Sequence, residues 1–294
     1  MMERALMFDD NCGFSVIAYR GEGKPQARIT KLEGWWGGAG VETDFVERIR
    51  DGAFRAPLRR TPRKLVIGVS EYFRSEAEVV NRAREVSGIF QSGEEGDGFV
   101  HVDYAESEKI TAFKVALNDA PRVAQYLGAK MLTYELPLIV PDPYLYGVTQ
   151  RSGTTTPGSG IGLQYPLYHQ APSPHLNYGD AIPSQHALVF NYGNAVAWPT
   201  VYIRGSFPSG FRVELAGDVP PGTGCEFHGP LVASQEAILD MALGRIMVDG
   251  TDQSFLLASR QWGGVAKNGQ ASARVFPLSQ GVGSADLVIR STYI

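Results

Sequence analysis

From His186 to Gly205 the chain reads HALVFNYGNAVAWPTVYIRG, and no other stretch restricts the fold as tightly. Two short apolar runs, Ala187–Phe190 and Val201–Ile203, flank a loop that holds Asn191, Gly193, Asn194 and Pro199. In the second run Val201 and Ile203 share one side, while Thr200, Tyr202 and Arg204 share the other. That period of two belongs to a strand with one buried and one wet face. Asn and Gly accept the backbone conformations of a tight reversal, and Pro199, lacking an amide proton, suits the start of a strand. The stretch predicts the first corner of a β-sandwich.

The residues after it extend the same pattern. Phe211–Leu215 alternates, Ala237–Leu239 and Arg245–Asp249 supply two more strands, Ser254–Ala258 reads as another, and Ala273–Leu278 and Ala285–Ser291 close the chain. Ser259–Trp262 reads as a turn carrying an aromatic plug. Short strands at this spacing, without helical periodicity, predict a sandwich over 181–294.

Upstream the pattern is also mostly strand. Phe14, Val16 and Ala18 alternate with Ser15, Ile17 and Tyr19, and Arg63–Val69 is a strongly apolar strand. Phe99–Tyr104 and Lys109–Leu117 read as a pair joined by an acidic turn. Met131–Val140 alternates with Leu132, Tyr134, Leu136 and Leu138 together, and Pro137 within it argues for an edge or bent strand. One helix interrupts the strands. Ser75 and Glu78 form a capping box, Val79, Ala83, Val86 and Phe90 follow at helical spacing, and Gly88 marks the stop. Arg82, Arg84 and Glu85 are expected on its wet side. A mainly β domain with one α-helix is therefore expected over 1–143. A Pro/Gly/Tyr-rich connector arm should follow over 144–180, where RSGTTTPGSGIG has little to bury.

Composition restricts the function classes. The 294 residues are enough for two domains with cores of their own; hydrophobic content is 44% and charged content 20%, an ordinary globular balance. A net charge of −4 argues against gripping nucleic acid or anionic membranes by bulk charge. Two cysteines, Cys12 and Cys225, are too few for a disulfide scaffold. The start, MMERALMFDD, carries charges where a signal peptide needs an apolar core, and no apolar run reaches the roughly 20 residues of a membrane helix.

Catalytic signatures are missing from the sequence. There is no Walker loop, no G-x-S-x-G, no H-E-x-x-H and no C-x-x-C. Gly158, Gly160 and Gly162 have the wrong spacing for a dinucleotide fingerprint. Of the five histidines, His169 and His175 match no common metal spacing, and Cys225 with His228 makes two ligands of a set with no second pair. The Glu94–Asp97 cluster reads as a solvated acidic turn, and Asp9-Asp10-Asn11 lacks the Gly and distal Glu of an EF-hand loop. No cofactor, metal or catalytic residue is assigned, and the chain is not expected to be an enzyme.

Interface anchors are the better expectation. Trp35 and Trp36, set beside glycines in LEGWWGGAG, and Tyr144, Tyr146, Tyr165 and Tyr168 in and near the connector supply large contact area at low entropy cost.

The order of these features resembles siphophage distal tail proteins, often called minor tail proteins in actinobacteriophages. The residues that carry the resemblance in the C-terminal part are Asn191-Tyr192-Gly193-Asn194, Pro199 with Val201 and Ile203, Gly205, the run Arg245–Gly250, Trp262 and Ile289–Tyr293. In the N-terminal part they are Gly34-Trp35, Arg63 opening a strand, the helix from Ser75, and the Asp142-Pro143 exit. The resemblance implies an N-terminal belt domain and a C-terminal galectin-like β-sandwich. It implies a structural virion component of the phage tail tip and baseplate, a hexameric ring of copies of itself assembled in the host cytoplasm. Its implied partners are the tail-tube protein, a tail-associated hub protein, and a tail fibre or receptor-binding protein. DNA would only pass through the lumen, and no membrane is involved. Galectin-like names a fold and does not confer sugar binding. The competing expectation is a carbohydrate-binding module for a host cell-wall glycan, using Trp198 or Trp262 of the C-terminal sandwich.

Overall fold

The computed structural model describes residues 4–10, 14–20, 26–37, 39–43, 45–47, 53–55, 59–89, 98–104, 108–156 and 186–294. They divide into two compact units, Met1–Val148 with Tyr293–Ile294, and Thr149–Thr292. The fold is mainly β, with one α-helix among the described residues.

The first unit holds β1 (Arg4–Asp9), β2 (Ser15–Arg20), β3 (Ala27–Glu33), β4 (Ala39–Glu42), β5 (Phe45–Glu47), β6 (Ala53–Arg55), β7 (Arg59–Tyr72), α1 (Glu76–Ser87), β8 (Gly98–Tyr104), β9 (Glu108–Leu117), β10 (Arg122–Tyr126), β11 (Met131–Val140) and the start of β12 (Leu145–Thr155). β11 pairs with β7 along its whole length. From β7 the pairings run through β3, β2, β1, β8 and β9, and β9 returns to β11 at Leu138↔Leu117 and Ile139↔Ala116. Seven strands thus close on themselves, which removes most sheet edges from this unit. Among the described residues the weakest seam of this circuit is between β2 and β3, joined in parallel at Tyr19↔Arg28. β10 and β4 add to β11 and β7 outside the closed circuit.

Alternation explains the core. Phe14, Val16 and Ala18 are buried, as are Leu65, Ile67 and Val69, and Leu132, Tyr134, Leu136 and Leu138. Helix α1 starts where the sequence predicts. The Ser75 hydroxyl accepts from the Glu78 amide at 3.3 Å, and the Glu78 carboxylate accepts from the Arg74 amide at 3.0 Å. Val79, Ala83 and Val86 are buried on its inner face, and each such valine contributes about 1.5–3 kcal/mol by leaving water. Phe90 lies outside the described residues.

Two readings of this half need correction. β11 is not an edge strand: β7 runs along one side, and β10 and then β9 along the other. Pro137 is tolerated because it falls between the last β10 pair, at Glu135, and the first β9 pair, at Leu138. Its carbonyl accepts from the Asn118 amide at 2.9 Å. The N and O of a strand residue point the same way, so the missing N–H faces this gap and costs no ladder bond. Arg82 is not on the wet side of α1. It lies three residues after Val79 and four before Val86, beside the buried stripe, with a side chain only 18% exposed.

The second unit holds the rest of β12, then β13 (Ala187–Phe190), β14 (Thr200–Ser206), β15 (Phe211–Gly217), β16 (Gly224–Phe227), β17 (Glu236–Asp240), β18 (Arg245–Val248), β19 (Thr251–Asp252), β20 (Leu257–Gln261), β21 (Gln270–Pro277) and β22 (Val282–Tyr293). One sheet has the order β12-β22-β14-β17-β18-β19 and the other β13-β21-β15-β16-β20. Their inner faces share one core, including Val189, Val201, Ile203, Phe207, Phe211, Phe227, Leu239, Val275 and Leu287. β13 and β14 lie in different sheets, so the loop between them is the corner of a sandwich, as its sequence predicts. Residues 145–155, within the 144–180 stretch expected to be a connector arm, are strand β12, with Thr154 buried. Ser254–Leu256 is a 3-10 turn and the strand comes after it, at Leu257–Gln261, where a turn was expected. Trp262 does pack against this core.

Candidate interface

The first unit is tied together by one cation. Arg63 is in phase with Leu65, Ile67 and Val69, so the strand period directs it inward, and it is fully buried. Its Nη1 donates to the carbonyls of Gly34 and Trp35 at 3.0 and 2.6 Å. Its Nε and Nη2 both donate to the Pro143 carbonyl, at 3.0 and 2.7 Å. Burial lowers its pKa from the usual arginine value and Arg60 adds to that, while Asp142 works in the opposite direction. Three segments separate in sequence, the 34–35 turn, β7 and the 142–143 exit, thus meet at one guanidinium. The turn also requires Gly34: its φ is +75°, and a Cβ there would lie 1.9 Å from the Lys64 carbonyl oxygen.

The interface candidates lie around this clamp. Trp35 is 2% exposed, a core residue whose indole N–H has no hydrogen-bond partner among the described residues. Trp36, the next residue, is half exposed, with its ring 5.9 Å from Tyr104 and 6.1 Å from Tyr293. Tyr144 and Tyr146 are partly buried; Asp142 accepts from the Tyr144 amide at 3.1 Å and from the Tyr146 hydroxyl at 2.5 Å, and Tyr146 packs on Phe113. Tyr165 and Tyr168 lie outside the described residues, as do Cys12, Asn11, Glu94, Asp97, His169, His175 and the 158–162 glycines. The structure therefore brings Trp35, Trp36, Tyr144 and Tyr146 around one framework, with only Trp36 strongly exposed. Tyr104 and Tyr293 escape a reading by sequence neighbourhood, because only the fold brings them to Trp36.

A second polar network lies under α1. The Tyr134 hydroxyl donates to Glu71 at 2.5 Å, and Arg82 donates to both Glu71 oxygens, to Glu85 and to the Ser15 carbonyl. Burial pulls the Arg82 pKa down, but hydrogen bonds to Glu71 and Glu85 outweigh it and raise the pKa overall. Burial and then the Glu71 charge raise that of Tyr134. Through Ser15, Arg82 links the helix to β2 at the weakly paired β2–β3 seam. A groove of about 580 Å³ beside it is lined by Ile17, Gln26, Phe73 and Asn81 among others.

In the second unit Asn191, 1% exposed, holds the corner. Its side-chain amide donates to the carbonyls of Ala195, Val265 and Ala266, and its oxygen accepts from the amides of Gly193 and Thr292. The edge of β13 is closed as well. The Leu188 amide donates to the Ser152 hydroxyl, the Phe190 amide to Gln150, and the Gln150 amide to the Phe190 carbonyl. Leu188, Phe190 and Tyr192 are exposed at alternate positions of β13 and the residues after it, the last two rings 6.0 Å apart and nearly parallel. Trp198 is 47% exposed.

Cys225 faces the core, burial pushing its thiol up to about 12, while His228 is exposed and contacts Glu226 at 2.6 Å. The two do not start a metal site. Asp10 is 2% exposed and accepts from the Phe14 amide at 2.9 Å, a hairpin role. Among the described residues no group of three or more His, Cys, Asp or Glu side chains could hold a metal.

Among known proteins, no family model matches the sequence and no curated protein matches it. Solved structures do match. The crystal structure of SPP1 Dit (gp 19.1), described as a paradigm of the hub adsorption apparatus in phages infecting Gram-positive hosts, is similar over 99% of both chains at 12% identity and a TM-score of 0.61. The phage P2 baseplate in its activated conformation is similar at 10% identity, with TM-scores of 0.45 for the form with Ca and 0.44 for the form with Sr. The first likeness, spanning both chains end to end, assigns the fold.

Proposed function

We propose that this chain is a structural subunit of a phage tail tip rather than a catalyst. The observation that carries this reading is the end-to-end likeness to SPP1 Dit, which includes both units and not one common sandwich alone. In this reading residues 1–143 form a belt whose copies meet head to tail in a ring, hexameric as the resemblance implies. Residues 144–180, which open with strand β12, join it to a galectin-like sandwich over 181–294. The ring joins the tail tube to a hub protein and to fibres or receptor-binding proteins, with DNA only passing through. The mature location is the virion, after assembly in the host cytoplasm.

A ring needs two different patches on each copy, and interfaces of that permanence bury roughly 2,000 Å² or more. The Trp36–Tyr104–Tyr293 cluster, with Tyr144 and Tyr146 nearby, is our candidate for the core of one patch. Native mass spectrometry of the full chain tests the proposal: a stable six-fold species is expected, and a monomer persisting at high concentration overturns it.

One observation favours a second reading, glycan recognition. Phe190 and Tyr192 present nearly parallel, exposed rings on the outer side of the five-stranded sheet, and exposed aromatics are the usual platform where an apolar body and polar edges are wanted together. Binding of the full chain to host cell-wall polysaccharide, lost on Tyr192→Ala, would promote it; no binding at millimolar glycan removes it.

A further inference from the structure

We infer that the outer face of the five-stranded sheet is a site for an anionic glycan, with Arg274 as the residue that recognises its negative group. The inference rests on the glycan reading above and names the ligand class and the polar half of that site.

The register sets which side chains share the face. β13 pairs with β21 at Leu188↔Ser272 and Phe190↔Gln270, and β21 pairs with β15 at Ser272↔Ala216, Arg274↔Glu214 and Phe276↔Arg212. Directly opposed residues of an antiparallel pair lie on one side of the sheet, and the buried Ala271, Ala273 and Val275 between them take the other side. The face therefore begins at the exposed Phe190 and Tyr192 rings, crosses the short side chains of Ser272 and Ala216, and ends at Arg274, Glu214 and Arg212. From Gln270, beside Phe190, to Arg274 is about 13 Å along β21, wider than a single sugar ring. An apolar platform at one end and hydrogen-bonding groups at the other suit a carbohydrate, whose C–H faces lie on rings while its substituents need donors and acceptors.

Charge names the ligand. Arg212 is answered already: it lies 3.0 Å from Glu214 and over the Phe276 ring at 5.3 Å. Glu226, on the next strand of this face, contacts His228 at 2.6 Å. Arg274 is exposed and has no carboxylate within ion-pair distance among the described residues. Glu214 stands opposite it in the ladder, but that carboxylate is turned to Arg212. The partner of Arg274 is the His186 imidazole: Nε donates to Nδ1 at 3.1 Å, and Nη2 lies 2.9 Å from Nε2. The imidazole orients the guanidinium without cancelling its charge. An oriented, exposed guanidinium with spare N–H groups is a donor set for a carboxylate or a phosphate, both of which fit its planar fork. The whole chain carries −4, so an anionic polymer is held by this local group and not by bulk charge.

Isothermal titration calorimetry of the full chain at low salt tests this with three probes: a uronic-acid polymer, a glycerol-phosphate polymer and neutral dextran. At least one anionic polymer is expected to bind, and which one does identifies the recognised group; dextran should bind at least about tenfold more weakly. Arg274→Gln is expected to lower the anionic affinity about tenfold, with dextran binding and the circular-dichroism spectrum unchanged. Arg122→Gln, which removes an equal charge from an exposed position on β10 in the other unit, should change nothing. Arg274→Gln without effect, dextran bound as tightly as the anionic polymers, or an equal loss in Arg122→Gln overturns this inference and leaves glycan recognition standing. No binding of the three probes or of host cell-wall polysaccharide overturns both.

Discussion

Replacing Arg63 by Met removes the guanidinium while keeping the aliphatic stem, and the structure sets the expected cost. Four charge-assisted bonds vanish, and the carbonyls of Gly34, Trp35 and Pro143 lose a common partner, the fully buried Arg63 guanidinium. Bonds to a charged group contribute about 1.5–3 kcal/mol each, and an unpaired buried acceptor costs about 1–3 kcal/mol. These terms overlap, because the exit at Pro143 can relax toward water, and the buried charge removed carried a desolvation cost of its own. Truncations of buried charged networks accordingly fall at about 3–5 kcal/mol, a large share of the 5–15 kcal/mol that holds a typical domain together. For a unit of this size that corresponds to roughly 8–15 °C in Tm. Urea denaturation followed by circular dichroism should show the loss, and hydrogen exchange should localise it to residues 34–37 and 141–146. Arg63→Lys should recover only part, since one ammonium cannot reach three carbonyls placed for a planar fork. If Arg63→Met stays within 1 kcal/mol of wild type, the clamp does not hold the unit together and the reasoning fails.

Three further outcomes follow from the same geometry. Tyr134→Phe should cost about 1–2 kcal/mol in denaturant titrations, because Glu71 keeps Arg82 and loses only the hydroxyl. Gly193→Ala should leave the second unit unfolded or insoluble on expression, since the new Cβ would lie 1.9 Å from the Thr292 carbonyl oxygen, within backbone that the Asn191 clamp fixes. His101 is held below its usual pKa by burial first and by Lys109 second, so the unfolded chain binds the proton more readily. Its contribution to stability is thus complete above about pH 6.5 and is lost as pH falls through the lowered folded value; His101→Phe, compared with wild type between pH 7 and pH 5, should flatten that part of the stability curve.

The sequence pattern disclosed the strands, the helix and the sandwich corner because each depends on neighbours within one turn or one strand. Val201 and Ile203 are buried as their alternation requires, and Ser75 and Glu78 cap the helix they predict. It disclosed less wherever a residue's role depends on a distant partner. Pro137 suggests an edge when only its missing amide is considered. It is harmless inside the sheet because two different strands, β9 and β10, happen to end on either side of it. Trp35 and Trp36 are adjacent and alike in sequence, yet one is core and the other half exposed, since a turn sends consecutive side chains in different directions. Of the remaining interface candidates, Tyr104 and Tyr293 are absent from a reading by neighbourhood because β8 and β22 reach Trp36 only through the sheet.

The polar residues that fasten the fold were nonetheless visible as exceptions to periodicity. In β7 the inward positions run Arg63, Leu65, Ile67, Val69, Glu71, so the apolar series opens on a buried cation and ends on a buried carboxylate. A charge in phase with a core stripe must be answered by something buried, and each is: Arg63 by three carbonyls, Glu71 by Arg82 and Tyr134. Both answers come from segments distant in the chain, so these residues fix which segments meet, while the apolar stripe only fixes which face is buried. Asn191 does the same for the sandwich, joining the corner to residues 265–266 and to Thr292. Apolar positions interchange freely among Leu, Ile and Val without losing the pattern. The clamps do not interchange in that way. A core substitution in β7 such as Ile67→Val should therefore cost only about 0.5–1.5 kcal/mol, several-fold less than Arg63→Met two positions beyond Leu65 on the same face. Equal costs at the two sites would show that the stripe alone specifies the fold.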